Sequence, residues 1–175
     1  MTKALFFDID GTLVSFETHA IPASTIEALT IAHEKGIKIF IATGRPKAII
    51  NNLADIQDRG LIDGYITMNG AYCFVGDEVI YKSAIPAGEV RALAQVCEQK
   101  GYPCIFVGEH TISVCQPNKL VHDIFYDFLH VDEIPVKTFE EAVQEEIFQM
   151  TPFVTVEEET EIPVSYTHLT LPTIA

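Results

Sequence analysis

Two carboxylates stand directly behind an uninterrupted apolar run: Ala4-Leu5-Phe6-Phe7 leads into Asp8-Ile9-Asp10-Gly11-Thr12. A short continuous apolar run is the mark of a strand buried on both faces, as in a parallel sheet. Gly11 tolerates backbone angles that other residues do not, so the chain can turn sharply there. Acids at i and i+2, leaving such a strand, then point into one crevice at its carboxyl end. Open α/β sheets place their ligands in that position.

The same rhythm continues. Pro22 with Ser24 or Thr25 opens a helix whose apolar side is Ile26, Leu29, Ile31 and Ala32, and Gly36 stops it. Ile37–Ala42 reads as a second strand, Pro46 opens a helix running to about Leu61, and Tyr65–Met68 is a third strand. Asn69-Gly70 then turns the chain into a hairpin of Ala71–Val75 and Val79–Lys82. Strand, helix, strand, helix, strand predicts an α/β fold with a parallel sheet and right-handed crossovers.

The pattern changes after Lys82. Pro86–Lys100 predicts a helix with Val90, Leu93, Ala94 and Cys97 on one face. Cys104–Val107 and Thr111–Cys115 read as strands, Leu120–Leu129 and Phe139–Glu146 as helices, and Phe148–Thr155 as a strand interrupted by Pro152. That is an α+β module. Charge shifts at the same point: residues 1–82 carry a net of −3, residues 83–162 a net of −11, and residues 163–175 no charged side chain. The expected organisation is therefore a first domain over 1–82, an α+β domain over 83–162, and a tail over 163–175.

Composition narrows the function classes. With 48% hydrophobic and 21% charged residues the chain is globular. A net charge of −14 offers no basic footprint, so no nucleic-acid partner is expected. No segment approaches the ~20 apolar residues of a membrane span, and the N-terminus does not read as a secretory signal. Cys73, Cys97, Cys104 and Cys115 form no CxxC and have no His partner at zinc spacing. They read as reduced thiols packed in a cytoplasmic protein. Nothing in the sequence fixes the oligomeric state.

The carboxylate pair has a natural division of labour. One can attack a phosphoryl group to give an acyl-phosphate, and the other can protonate the leaving alcohol and then take a proton from water. Two anions facing a phosphate call for a divalent cation, and Mg2+ with oxygen ligands fits. A calcium loop does not fit: counted from Asp8, its sixth and twelfth positions are Leu13 and His19 rather than Gly and Glu. Farther on, Ala42-Thr43-Gly44-Arg45-Pro46 ends the second strand and opens a helix. A hydroxyl and free N–H groups there suit a phosphate, and Arg45 adds a fork of donors.

Together, DIDGT (Asp8–Thr12), TGRP (Thr43–Pro46) and MNGA (Met68–Ala71), followed by an α+β insert, resemble the haloacid dehalogenase (HAD) superfamily, and more narrowly its Cof-type, type IIB sugar phosphatases. The resemblance covers about residues 3–160. It implies a Rossmann-like parallel-sheet core, present here in its N-terminal part, with an α+β cap inserted after the third strand. It implies a magnesium-dependent hydrolase acting on small phosphomonoesters, such as sugar phosphates, through an aspartyl-phosphate. Asp8 would be the nucleophile and Asp10 the acid–base. Asp8 and the Asp10 carbonyl would hold Mg2+, and Thr43 would bind the transferring phosphoryl group. Thr12, Gly44, Arg45 and Asn69 complete the expected phosphate- and substrate-binding set.

Members of that family continue past the cap to a Lys and a Gly-Asp-x-x-Asn-Asp motif. After Lys82 these 175 residues offer Lys100, Lys119 and Lys137, all within the second module, and no such motif. Val164–Thr173 (VSYTHLTLPT) matches one reading-frame translation of a sequencing-library adapter, so residues 163–175 are expected to be a non-native tail. The chain then reads as a C-terminally truncated form, with Ala4–Asp8 an exposed apolar edge, poor solubility and little activity beside an intact parent enzyme. Two alternatives share these motifs: a sugar-phosphate mutase, and a phosphate-binding domain without turnover.

Overall fold

A computed structural model of the chain describes residues 3–154. The chain divides between Ser83 and Ala84 into two compact units. In the first, the apolar runs pair as a five-stranded sheet in sequence order, β1 (Lys3–Phe7), β2 (Ile37–Ala42), β3 (Gly64–Thr67), β4 (Tyr72–Val75) and β5 (Glu78–Lys82). β1, β2 and β3 are parallel, with Phe7 opposite Ile41 and Ala42 opposite Ile66. β4 and β5 return antiparallel as the hairpin that Asn69-Gly70 foretold. The crossover from β1 to β2 is helix α1 (Ala23–Glu34), which starts behind Pro22 and stops at Gly36, where φ is +75°. Proline before the first turn and glycine after the last are the expected punctuation. Ile9, Leu13, Leu29, Ile39, Ile41, Leu53 and Ile56 form the core. The α/β class with a parallel sheet is thus present.

β1 is an edge strand among the described residues, with Leu5 40% and Phe6 57% exposed, which corrects the burial on both faces that its apolar run suggests and agrees with the exposed edge expected of Ala4–Asp8. An apolar strand shows on its open side when no neighbour pairs with it. The helix expected from Pro46 to Leu61 is two short pieces, a 3-10 turn at Lys47–Ile49 and helix α2 (Ala54–Gln57). Arg45 Nη1 donates to the Ile49 carbonyl at 3.2 Å and to Asn51 Oδ1 at 3.4 Å, which diverts groups a continuous helix would use.

Asp63 ties the entry of β3 to β2. It accepts from Lys38 Nζ at 2.5 Å and from the Ile39 N–H at 2.9 Å, with His33 at 3.9 Å. Burial pushes its carboxyl up, but the Lys38 and Ile39 donors outweigh that and hold it below its ordinary value of 3.8. A depressed carboxyl adds stability above its unfolded pKa and loses it as pH falls through the folded one. Asp63→Asn is therefore expected to cost about 1 kcal/mol at pH 7. Urea titrations at successive pH values should show wild type and variant converging as the pH falls below the ordinary carboxyl value and through the lowered one.

The second unit is a three-stranded antiparallel sheet, β7 (Ile112–Cys115), β6 (Cys104–Gly108) and β8 (Ile147–Pro152), with β6 in the centre. Helix α3 (Ala87–Lys100) buries the expected stripe of Val90, Leu93, Ala94 and Cys97 among Cys104, Phe106, Cys115, Phe139 and Met150. The Leu120–Leu129 helix is replaced by α4 (Lys119–His122), capped by the Asn118 side chain, and a wider π turn over Asp123–Phe128. The last predicted helix is one turn, α5 (Phe139–Ala142), opened by a Thr138–Glu141 capping box.

All four cysteines are free thiols. Burial pushes the Cys104 thiol well up and Cys115 to about 11, while interaction with Cys104 holds the Cys97 thiol below its ordinary value. Among the described residues no helix is long and apolar enough to cross a membrane. The tail expected over 163–175, and the end of the second module, lie outside the described residues.

Candidate active site

The first unit brings the ends of β1, β2 and β3 together. Beyond β1 the chain winds into a tight turn, in which the Leu13 and Val14 N–H groups donate to the Ile9 carbonyl at 3.1 and 2.9 Å. Gly11 closes that turn at φ +72°, and its N–H reaches the Val14 carbonyl at 3.0 Å. Ile9, Leu13 and Val14 are buried by it, so Asp8 and Asp10, which flank Ile9, are turned out of the core. Asp8 is exposed, and among the described residues its carboxylate has no hydrogen bond or ion pair.

Asp10 is held. Arg45 Nε donates to Oδ2 at 2.9 Å and Nη2 to Oδ1 at 2.7 Å, a bidentate fork across the carboxylate plane. The guanidinium side chain is 9% exposed and the Asp10 side chain 33%. Arg45 Nη1 serves Ile49 and Asn51, so the fork is aimed from both sides. This is a change from the sequence reading, which pointed the Arg45 donors at a ligand. Charge-assisted bidentate pairs of this kind combine strength with fixed orientation.

Thr43 is buried, and its Oγ accepts from the Arg45 N–H at 3.1 Å, which folds the residues after β2 into a compact loop. Its own O–H hydrogen remains for a ligand. Across the loop, the Met68 N–H donates to the Arg45 carbonyl at 3.3 Å and the Asn69 N–H to the Thr43 carbonyl at 3.2 Å. These bonds place Met68 and Asn69 at φ +51° and +55°, a left-handed pair that Gly70 extends. Consecutive non-glycine residues in that region store strain, and such strain clusters at binding sites. Asn69 is exposed, and its Oδ1 would lie 3.1 Å from a Cβ added at Gly44, so the glycine leaves room for that amide. Thr12, also expected at the site, is exposed on the Gly11 turn and donates its N–H to the Ile9 carbonyl at 3.3 Å.

Asp8, Asp10, Thr43, Gly44, Arg45 and Asn69 therefore sit on the three loops after β1, β2 and β3. Sequence reasoning missed Asn51 and Met68. A guanidinium with five donors needs acceptors beyond one carboxylate, which was the available signal for Asn51. Met68 was read only as part of the MNGA motif, and its positive φ had no signal, because an apolar residue rarely adopts one.

Removing the fork should be costly. Arg45→Ala is expected to lower the stability of the first unit by about 2 kcal/mol, less than a fully buried pair because Asp10 is partly solvated. Arg45→Lys should recover less than about half of that, since an ammonium cannot make two parallel bonds to one carboxylate. Urea unfolding of both variants at one ionic strength measures it.

Comparison with known proteins places these motifs. The family model of haloacid dehalogenase-like hydrolases matches residues 5–170. The solved structure of BT4131, a HAD subclass IIB sugar phosphatase, is 76% identical with a TM-score of 0.87, covering 91% of this chain and 62% of that one. A second structure, from work on a trigonal-bipyramidal intermediate in a phosphoryl-transfer superfamily, is 75% identical with a TM-score of 0.88, covering 93% and 62%. YkrA of Bacillus subtilis, named as a phosphatase, is 29% identical over 163 residues, which is 90% of this chain and 60% of that protein. The chain thus spans about three fifths of the length of these relatives. It belongs to the haloacid dehalogenase-like hydrolase family, beside that family's subclass IIB members.

Proposed function

We propose that the chain carries the nucleophile half of a magnesium-dependent phosphatase for sugar phosphates. The observation that supports this best is the unequal treatment of its two acids: Asp8 is solvent-facing and unpartnered, while Asp10, two residues on, is clamped on both oxygens by Arg45. A nucleophile must be free to approach phosphorus, and an acid–base must be held in place. Asp8 attacks the phosphoryl group and the ester oxygen departs as an alcohol. Asp10 gives a proton to that oxygen after one of its own oxygens leaves the Arg45 fork and is protonated, and it later takes a proton from the water that cleaves the acyl-phosphate. The Thr43 hydroxyl and the Asn69 amide face the same loops and orient the phosphoryl oxygens, with Gly44 keeping the space open.

The donor set also fits Mg2+. The Asp8 carboxylate is unpartnered, and the Asp10 main-chain carbonyl accepts none of the turn's backbone hydrogen bonds. Both are hard oxygen ligands, and a magnesium ion held there would offset the negative charge of the phosphate. The substrate class follows the subclass IIB sugar phosphatase that resembles this chain so strongly. Four free thiols are in keeping with a reducing, cytoplasmic setting.

The test is to incubate the chain with a hexose phosphate and Mg2+ and analyse the products. Slow formation of free sugar and inorganic phosphate, lost on chelation by EDTA and restored by Mg2+, is expected. An isomeric hexose phosphate in their place would identify a mutase. Tight, saturable phosphate binding with no phosphorylated Asp8 and no product would reduce the chain to a binding domain.

A further inference from the structure

Met68 stands where a glycine would be at ease. Its backbone is left-handed at φ +51°, as are those of Asn69 at +55° and Gly70 at +92°. Glycine and asparagine visit that region readily, but for other residues it brings the Cβ too close to the following carbonyl oxygen. The methionine is kept there with its side chain buried, 3% exposed, and that burial offsets the backbone cost. A turn alone would be served by glycine at position 68 as it is at position 70, so the buried side chain has a use of its own.

Its surroundings show that use. The Thr43 N–H donates to the Ile66 carbonyl at 2.9 Å, the Asn69 N–H to the Thr43 carbonyl at 3.2 Å and the Met68 N–H to the Arg45 carbonyl at 3.3 Å. The chain leaving β3 is thus laced to the loop after β2 on both sides of Gly44. The Asn69 amide lies over that glycine: a Cβ built at Gly44 would fall 3.1 Å from Oδ1 and 3.6 Å from Nδ2. Among the described residues the amide has no hydrogen bond, so only the backbone of its own turn sets its place. Asn69 is exposed, and the residue before it is buried. The geometry points to Met68 as a positioning residue: its buried side chain pins the left-handed turn, and the pinned turn holds the Asn69 amide over Gly44 for a phosphoryl oxygen. This rests on the phosphatase reading above and deepens it. Met68→Gly separates the two contributions, because glycine takes φ +51° without strain and keeps the Met68 N–H and carbonyl, leaving only the anchor removed.

The experiment is titration of the isotope-labelled full chain with inorganic phosphate, Mg2+ present, followed by amide NMR spectra. The side-chain amide signals of Asn69 are those missing from Asn69→Ala, and in wild type they should move as phosphate binds. Asn69→Ala is expected to weaken phosphate about tenfold, the loss of one hydrogen bond to an anion. Met68→Gly should weaken it by at least about fivefold and leave the Asn69 signals unmoved by phosphate, while Met68→Leu, which keeps apolar bulk, should stay within about twofold of wild type. Asn69→Ala added to Met68→Gly should then cost less than about twofold more, because the amide is already out of place. Phosphate affinity unchanged in Met68→Gly overturns the assignment. So does an Asn69→Ala effect of the same size in both backgrounds, or a Met68→Gly chain that no longer folds; either would make Met68 a support for the loop as a whole. Wild-type protein that binds phosphate without moving the Asn69 signals overturns the positioning role and leaves the phosphatase reading on Asp8 and Thr43. Failure of wild type to bind phosphate overturns both.

Discussion

Asp8→Asn should reduce phosphoryl transfer from a hexose phosphate by at least ~10³-fold and leave the stability of the first unit unchanged. The two halves of that statement have separate causes. An amide cannot form the acyl-phosphate, so the two-step route closes. Nothing in the fold leans on the Asp8 carboxylate, which has no hydrogen bond or ion pair among the described residues. Asp10→Asn should behave differently. It removes one charge from the Arg45 fork and leaves a nearly buried guanidinium facing a neutral amide, so about 1–2 kcal/mol of stability goes together with activity. Acid-quenched samples should show the phosphoryl group on Asp8 in wild type, none in Asp8→Asn, and a longer-lived phosphoryl-enzyme in Asp10→Asn. Equal loss of stability in the two variants would mean that the free and clamped states of these acids do not distinguish their roles.

In the second unit the largest expected effect belongs to Phe106→Ala, a loss of about 3–5 kcal/mol. Phe106 lies on β6, the central strand, opposite Ser113 on one side and Met150 on the other, and is 1% exposed. Its ring meets Phe139 edge to face at 5.9 Å, and α3 covers it with Val90, Leu93 and Cys97. Truncation there takes away the side chain that the strand, the long helix and the capped turn α5 all share, and the sheet around it cannot close the gap without breaking its ladder. Denaturant melts followed by circular dichroism measure the loss. Phe106→Leu should recover more than about half of it, because the volume removed is far smaller.

The fold was legible where pattern and punctuation agree. Pro22 and Gly36 bracket α1, Asn69-Gly70 turns β3 into β4, and the apolar spacing of Val90, Leu93, Ala94 and Cys97 marks the buried side of α3. Reading failed where a nearby side chain took over groups that a helix would use. The segment after Pro46 has helical composition, but the Arg45 guanidinium draws on the Ile49 carbonyl and the Asn51 amide, and the helix restarts only at Ala54. For β1 the apolar run alone suggested burial on both faces, while the expectation of an exposed edge was met. Hydrophobicity reports what a strand can bury, and position in the sheet decides what it does bury. At the site, residue types and spacing gave the carboxylate pair and the Thr-Gly-Arg loop. Neither could reveal that the arginine reaches Asp10, 35 positions earlier.

That reach has a consequence for how the chain tolerates change over generations. Positions 10, 45 and 51 are joined through one guanidinium, so the effect of a substitution at any of them depends on what stands at the other two. An exchange at position 45 strands a carboxylate on one side and an amide on the other, and a later change at Asn51 is then judged against a different background. The three positions are inherited as a single character, and the order in which they vary decides which variants can be reached.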